Sequence, residues 1–294
     1  MYNATLEVNI MGNSKFLQKI LVPVDGSVSS LMAEETAAVV VKKTGATITV
    51  LHCMQEFRIG YRLPLKLQDE LLGSIEQHAK KVTDDALALF REEGVVVNTE
   101  IHSGSDPAEI ILAFPEKDYD LIVMGGRGEN ERETFALGSV TKKVIRHTTC
   151  PTLVTKKVCA LSNLLVGVDG SEHSNNALSF AAKLADEMDS KITLINVQER
   201  RLFDLSRQTA EELGQKILSE ALNTIQKREL KVDKRLEFGV PSDIIVEVAE
   251  EGNHDLIVLG SRGLGAVKRF LLGSVSDDVS NKAKCSVLIV PAKT

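Results

Sequence analysis

Two stretches of this chain share a spacing that few folds can accommodate. Gly125–Val144 reads GGRGENERETFALGSVTKKV and Gly260–Val279 reads GSRGLGAVKRFLLGSVSDDV. Each runs Gly, two residues, Gly, nine residues, Gly-Ser-Val, and the copies are 135 residues apart at every glycine. Each follows a short apolar run, Asp120–Met124 or Asp255–Leu259, with the length and content of a buried parallel strand. Upstream, Val24-Asp25-Gly26-Ser27 is matched by Val168-Asp169-Gly170-Ser171 at an offset of 144. A repeat this long means duplicated domains, not a solenoid.

Glycines after a buried strand permit positive φ and close approach of a ligand. A helix opening at Gly-Ser offers free amides and the positive end of its dipole to an anion. A phosphate seat satisfies both features. A strand-to-helix turn that needs glycine only for geometry satisfies them too, and the residues alone leave both open.

Strands and helices alternate along each half. The first half predicts strands at Lys19–Val24, Thr47–Cys53, Val95–His102, Asp120–Met124 and Thr152–Thr155, with helices at Ser29–Lys43, Asp69–Glu93, Ala108–Phe114 and from Ser139. An irregular segment, 54–68, interrupts it at Pro64. The second half predicts strands at Asn163–Val168, Lys191–Val197, Lys231–Phe238, Asp255–Leu259 and Ser286–Val290, with helices at Ser174–Glu187, Ser206–Glu229, Ser242–Glu250 and Ser274–Lys282. This alternation defines an α/β class: two tandem doubly wound domains, each a five-stranded parallel sheet with helices on both faces. The boundaries expected are an extension over 1–15, a first domain over 16–157 and a second over 158–294. In such sheets ligands bind beyond the carboxyl ends of strands where the strand order reverses. Asp25, Asp169 and both glycine loops fall at such ends.

Composition narrows the function. A net charge of −6 and a pI near 5.6 argue against a nucleic-acid surface. No apolar run is long enough to span a membrane, and the N-terminus lacks a basic segment followed by an apolar one, so a cytoplasmic location is expected. Cys53, Cys150, Cys159 and Cys285 form no CxxC pair, which disfavours zinc, and small buried residues are expected there. None of the six histidines recurs at equivalent positions; His52 stands where Asn196 does and reads as a local polar contact. Ser139 and Ser274, at helix starts, suit capping or phosphate contact better than nucleophilic catalysis. There is no GxxxxGK[ST] and no GxGxxG after the first strand of either half, so Walker-type NTPases and dinucleotide dehydrogenases are disfavoured.

With these motifs in place, each half resembles the universal stress protein family in its nucleotide-binding branch, from Lys19 to Pro291. The resemblance implies ATP or AMP as ligand and pairing through the C-terminal edge strand. In the second half it implies adenine near Gly167, Val168 and the backbone of Val197, with Asp169 by the ribose or a phosphate-bound metal. Gly260, Arg262 and Gly263 would line ribose and phosphates; Gly273, Ser274, Val275 and Ser276 would give amides and hydroxyls to the phosphates. The matching first-half residues are Pro23, Val24, Asp25, Cys53, Gly125, Arg127, Gly128, Gly138, Ser139, Val140 and Thr141. Mg²⁺, if present, would come through the phosphates, near Asp25 or Asp169.

The function this implies is an adenine-nucleotide-binding stress-response regulator, with slow metal-dependent ATP hydrolysis as the alternative and a ligand-free scaffold ranked below it. Strands Thr152–Thr155 and Ser286–Val290 are apolar edges, and the expectation is that they pair antiparallel as an internal pseudo-dimer, with association of whole chains left open. The halves are expected to be unequal. Residues 129–137 carry a net −2 and residues 264–272 a net +2, so ATP should bind tighter in the second half, with AMP favoured over ATP in the first if that half binds at all.

Overall fold

The computed structural model describes residues 16–55, 64–114, 119–127, 137–199, 206–226, 229–263 and 272–292. The expected extension, 1–15, lies outside them.

The first half runs β1 (Lys19–Val24), α1 (Val28–Thr44), β2 (Thr47–Gln55), α2 (Leu65–Glu92), β3 (Val97–Gly104), α3 (Pro107–Ala113), β4 (Leu121–Gly125), α4 (Ser139–His147) and β5 (Thr152–Thr155). The second runs β6 (Asn163–Gly167), α5 (Glu172–Met188), β7 (Lys191–Glu199), α6 (Arg207–Ile225), β8 (Lys231–Gly239), α7 (Pro241–Glu251), β9 (Leu256–Gly260), α8 (Ser274–Lys282) and β10 (Ser286–Val290). One sheet holds all ten strands in the order β3-β2-β1-β4-β5-β10-β9-β6-β7-β8. Every pairing within a half is parallel.

The halves join where the edge strands meet. β5 and β10 pair antiparallel, with Leu153 opposite Leu288, Thr152 opposite Ile289 and Val154 opposite Val287. Leu153 and Leu288 are repeat equivalents, so the register is that of a local two-fold axis between them. Four buried residues of β5 and five of β10 make this seam part of the core. Covering one half's edge with the other's removes the exposed ladder an edge strand presents.

Alternation along the strands sorts their side chains between two faces. Ile20, Val22 and Val24 of β1 join α1 and α2 in a cluster that continues through Ala177, Leu178 and Ala181 of α5 into the second half. Leu21 points the other way, toward Ala108 and Ile111 of α3 and Val144 of α4. In the second half Leu165 packs likewise with Ile245 of α7 and Val279 of α8. Leu137, Ile145 and Val154 form a small cluster with Leu272 that bridges the halves.

Two differences from the expected boundaries have local causes. α2 begins at Leu65 directly after Pro64, four residues earlier than its polar pattern suggests, because proline is compatible with a helix start but not its interior. Helix α1 ends at Gly45 with φ 65°, whereas α5 ends at the repeat-equivalent Asp189 with φ 54°. Aspartate is among the few non-glycine residues that tolerate this region.

Candidate functional site

In each half the order reverses between β1 and β4, or β6 and β9, and their carboxyl ends open a crevice. The turn after β1 is built from its own polar groups. Asp25 Oδ1 accepts from Ser27 N at 3.0 Å, Gly26 takes φ 82°, and Ser27 caps α1 by accepting from Ser30 N. The second half repeats this: Asp169 Oδ1 accepts from Ser171 N at 2.9 Å, Gly170 has φ 83°, and Ser171 accepts from Ser174 N. One carboxylate oxygen of each aspartate therefore holds the turn, as an Asx bond does.

The glycine loops do not use the positive φ that their glycines permit. Among the described residues, their glycines do not occupy the positive-φ region. At Gly260 a Cβ would fall 2.6 Å from the backbone carbon of His173, and at Gly125 it would fall 2.7 Å from that of Ser29. These two glycines let the first turn of α5 or α1 press against the strand end, a packing demand that holds whether or not a ligand approaches. Gly263 answers to the site itself, because a Cβ there would lie 2.5 Å from Asp169 Oδ2.

Ser139 and Ser274 do not cap their helices. The N-caps are Gly138 and Gly273, with no side-chain cap bond, and the serines are the first helical residues. The first helical bonds are Lys142 N to Gly138 O and Asp277 N to Gly273 O. Intrahelical bonding thus starts after Ser274, Val275 and Ser276, whose amides lie at the positive end of α8. Two of the hydroxyls expected to meet phosphate are already committed. Ser276 Oγ donates to Gly260 O at 2.7 Å and Thr141 Oγ1 to Gly125 O at 2.9 Å. Each hydroxyl has one proton, so at Ser276 and Thr141 donation to an anion falls to the amides.

Both crevices hold a cavity, of about 150 Å³ in the first half and about 770 Å³ in the second. The second gathers all of its implied residues: Gly167, Val168, Asp169, Val197, Gly260, Arg262, Gly263, Gly273, Ser274, Val275 and Ser276. The first gathers Pro23, Val24, Asp25, Cys53, Gly125, Arg127, Gly138, Val140 and Thr141, while Ser139 is not on its wall. Gly128 lies outside the described residues. So do 129–136 and 264–271, on which the charge comparison rests.

Each lining residue of the first cavity has its repeat counterpart on the second, including pairs the motifs did not flag: Ser30 with Ser174, Pro107 with Pro241, Ile111 with Ile245. Alignment of the repeats, at an offset of 144 for Ser30 and of 134 for Pro107 and Ile111, was the signal that could have found them. The extra wall of the second cavity comes from Asn196, Gln198 and Glu199 of β7, Leu213 and Ile217 of α6, and from Gly263, Leu272 and Ser274.

The titratable groups nearby are muted by burial. His52 Nδ1 lies 2.9 Å from Val24 O, and Asn196 Nδ2 donates to Val168 O at 2.7 Å, so the two residues do the same local work. Burial lowers the His52 pKa. Burial, then the Arg262 guanidinium, lower that of His173, whose Nδ1 is 3.0 Å from Ser261 Oγ. Burial pushes the Cys53 thiol up to about 12, so in the first cavity it is a neutral wall. Among the described residues no group of three metal-ligating side chains is present, and no helix is long and apolar enough to cross a membrane.

A doubly wound sheet duplicated about an antiparallel seam, with one cavity at each order reversal, defines the class of α/β protein. The model of the Universal stress protein family matches residues 17–156 and again 161–291, and the chain belongs to that family. A Staphylococcus aureus protein named as a universal stress protein is 39% identical over 140 residues, 44% of this chain and 82% of the relative. A universal stress protein of Archaeoglobus fulgidus aligns over 95% of this chain and 99% of its own, with TM-score 0.72 and 24% identity. One of Pseudomonas aeruginosa aligns over 94% of each chain, with TM-score 0.65 and 19% identity. These two likenesses establish the fold.

Proposed function

We propose that this chain is an adenine-nucleotide-binding regulatory protein, with ATP or AMP as ligand and the second cavity as the stronger site. The observation that carries this reading is the second cavity itself. Its volume of about 770 Å³ is in the range of small-molecule sites, and one wall is the uncapped start of α8. The amides of Ser274, Val275 and Ser276 suit phosphate, and Arg262 adds a cation to the same wall. Val197, Pro241 and Ile245 suit an apolar ring at the other end. Where Mg²⁺ accompanies the phosphates, Asp169 is the carboxylate on this wall, and its Oδ1 is already engaged with Ser171 N.

The first cavity, at about 150 Å³, supports a smaller occupant or a weaker one, in keeping with AMP over ATP there. The antiparallel seam supports a pseudo-dimer within one chain. The reading is tested by calorimetric titration of the full chain with ATP and with AMP. Saturable ATP binding that is lost in Gly273→Glu, where a bulky anion replaces the N-cap of α8, supports it. No heat with either nucleotide at millimolar concentration overturns it.

A further inference from the structure

We propose that Arg146, a residue of the first half, sets how strongly the second cavity holds phosphate, by keeping the Asp277 carboxylate neutralised at the start of α8. The inference rests on the nucleotide reading of that cavity. Asp277 is the fourth residue of α8, directly after Ser274, Val275 and Ser276, and its amide makes the helix's first bond, to Gly273 O at 2.9 Å. At the rise of an α-helix its Cα lies about 4.5 Å along the axis from that of Ser274. A carboxylate so placed and a phosphate on the three amides compete for one positive helix end and repel each other.

The neutralising cation comes from across the seam. Arg146, in the last turn of α4, donates from Nη2 to Asp277 Oδ1 at 3.0 Å. Among the described residues no cation of the second half reaches that carboxylate. Its neighbour Asp278 differs, because Lys282 of the same helix lies 3.9 Å from it. The start of α8 leans on the first half in a second way. Leu272 lines the cavity and packs on Leu137, Ile145 and Val154. Ile145 and Arg146 are adjacent, so one turn of α4 supplies both an apolar and an ionic contact to the phosphate seat of the other half.

The repeat does not carry this pair. At the offset of 135 that relates α4 to α8, Asp277 corresponds to Lys142 and Arg146 to Asn281. The first turn of α4 thus holds a cation where that of α8 holds an anion. Across the seam Asn281 Oδ1 accepts from Leu137 N at 3.4 Å, where the other side has an ion pair. Loss of Arg146 would leave a bare carboxylate beside the second seat and no such charge beside the first. The side chains are 42% exposed for Arg146 and 28% for Asp277, so water and salt screen the pair and the effect is modest.

The test is titration of the ¹⁵N-labelled full chain with ATP and with AMP, read at the Ser274, Val275 and Ser276 amides. It compares the unaltered protein, Arg146→Gln, Asp277→Asn and the double variant. Arg146→Gln should weaken ATP binding about two- to fivefold, the scale of one charge at an exposed helix terminus. AMP, which carries less charge, should lose less, and the loss should shrink in high salt. Asp277→Asn breaks the same ion pair, yet ATP should bind it as tightly as the parent or tighter. The double variant should bind ATP as Asp277→Asn does. A pair that served only to hold the helices together would weaken ATP binding in both single variants, and that result overturns the proposal. ATP binding unchanged in Arg146→Gln overturns it too, and leaves the nucleotide reading standing. Absence of saturable ATP binding by the unaltered chain overturns the nucleotide reading, and this inference with it.

Discussion

The two glycines at the end of β9 should fail differently when each gains a methyl group. In Gly260→Ala the new Cβ would lie 2.6 Å from the backbone carbon of His173 and 2.7 Å from its oxygen. A backbone in the first turn of a packed helix cannot step aside without moving α5. Overpacking of this kind costs about 1–3 kcal/mol. At the middle of that range, about 2 kcal/mol, and at about 2–4 °C per kcal/mol for chains somewhat shorter than this one, the melting temperature should fall by roughly 4–8 °C. In Gly263→Ala the Cβ would lie 2.5 Å from Asp169 Oδ2, and the next nearest atom, Asp169 Cγ, is 3.7 Å away. A carboxylate can swing, so the melting temperature should fall by less than about 3 °C, near the cost of weakening one hydrogen bond to a charged group. The swing moves an anion within the cavity, and ATP binding should weaken about tenfold, or ~1.4 kcal/mol. Gly125→Ala, which meets the backbone of Ser29, should behave as Gly260→Ala does. Differential scanning calorimetry on the three variants reads this out. Equal destabilisation by Gly263→Ala and Gly260→Ala, or a Gly260→Ala melting point within about 1 °C of the parent, would refute the reasoning.

Three further outcomes are expected. Burial raises the Glu34 carboxyl from 4.5 to about 7, against the Ser30 hydroxyl that donates to it at 3.0 Å. The native state thus holds the proton that the unfolded chain has released, so this group's support is full below pH 4.5 and is lost as pH rises through 7. Glu34→Gln should gain on the parent between pH 5 and pH 8, by about 3 kcal/mol at most, in urea unfolding; a constant difference would contradict this. Hydrolysis of ATP with Mg²⁺ should run below about 1 s⁻¹, because the described cavity wall offers no histidine and only Asp169 and Glu199 as bases; phosphate release checks it. Burial raises the Cys53, Cys150 and Cys159 thiols to about 12 and that of Cys285 to about 11, so a thiol reagent at pH 8 should label the native protein slowly and the urea-unfolded chain fast.

The repeat made the architecture legible. Two offsets, set by Asp25 with Asp169 and by Gly138 with Gly273, locate the strand ends that carry both cavities. Because the motif residues are also those that close the helix-to-strand packing, they survive in the sequence as a pattern whether or not a ligand uses them. Gly260 shows that ambiguity: the chain leaves ligand approach and turn geometry both open, and in the structure the same glycine makes room for His173 and lines the cavity. The polar floor of the second cavity was not legible. Asn196 and Gln198 lie in a strand whose alternation predicts only a face, and their pairing depends on Val168 O and on the closeness of α6. Glu34 was equally hidden, since its repeat counterpart, Leu178, signals a core position and nothing about a buried acid. Pro107 and Pro241 were visible as helix starts, yet only the folded crevice turns them into walls.

A phosphate seat in the second cavity depends most directly on the amides at the start of α8. Two-dimensional NMR of the ¹⁵N-labelled chain, titrated with ATP, observes them one by one. The Ser274, Val275 and Ser276 amide signals should move together and saturate at the affinity measured by calorimetry, with smaller or later movement at Ser139, Val140 and Thr141. Saturating ATP that leaves Ser274, Val275 and Ser276 unmoved would contradict the placement of the nucleotide phosphates.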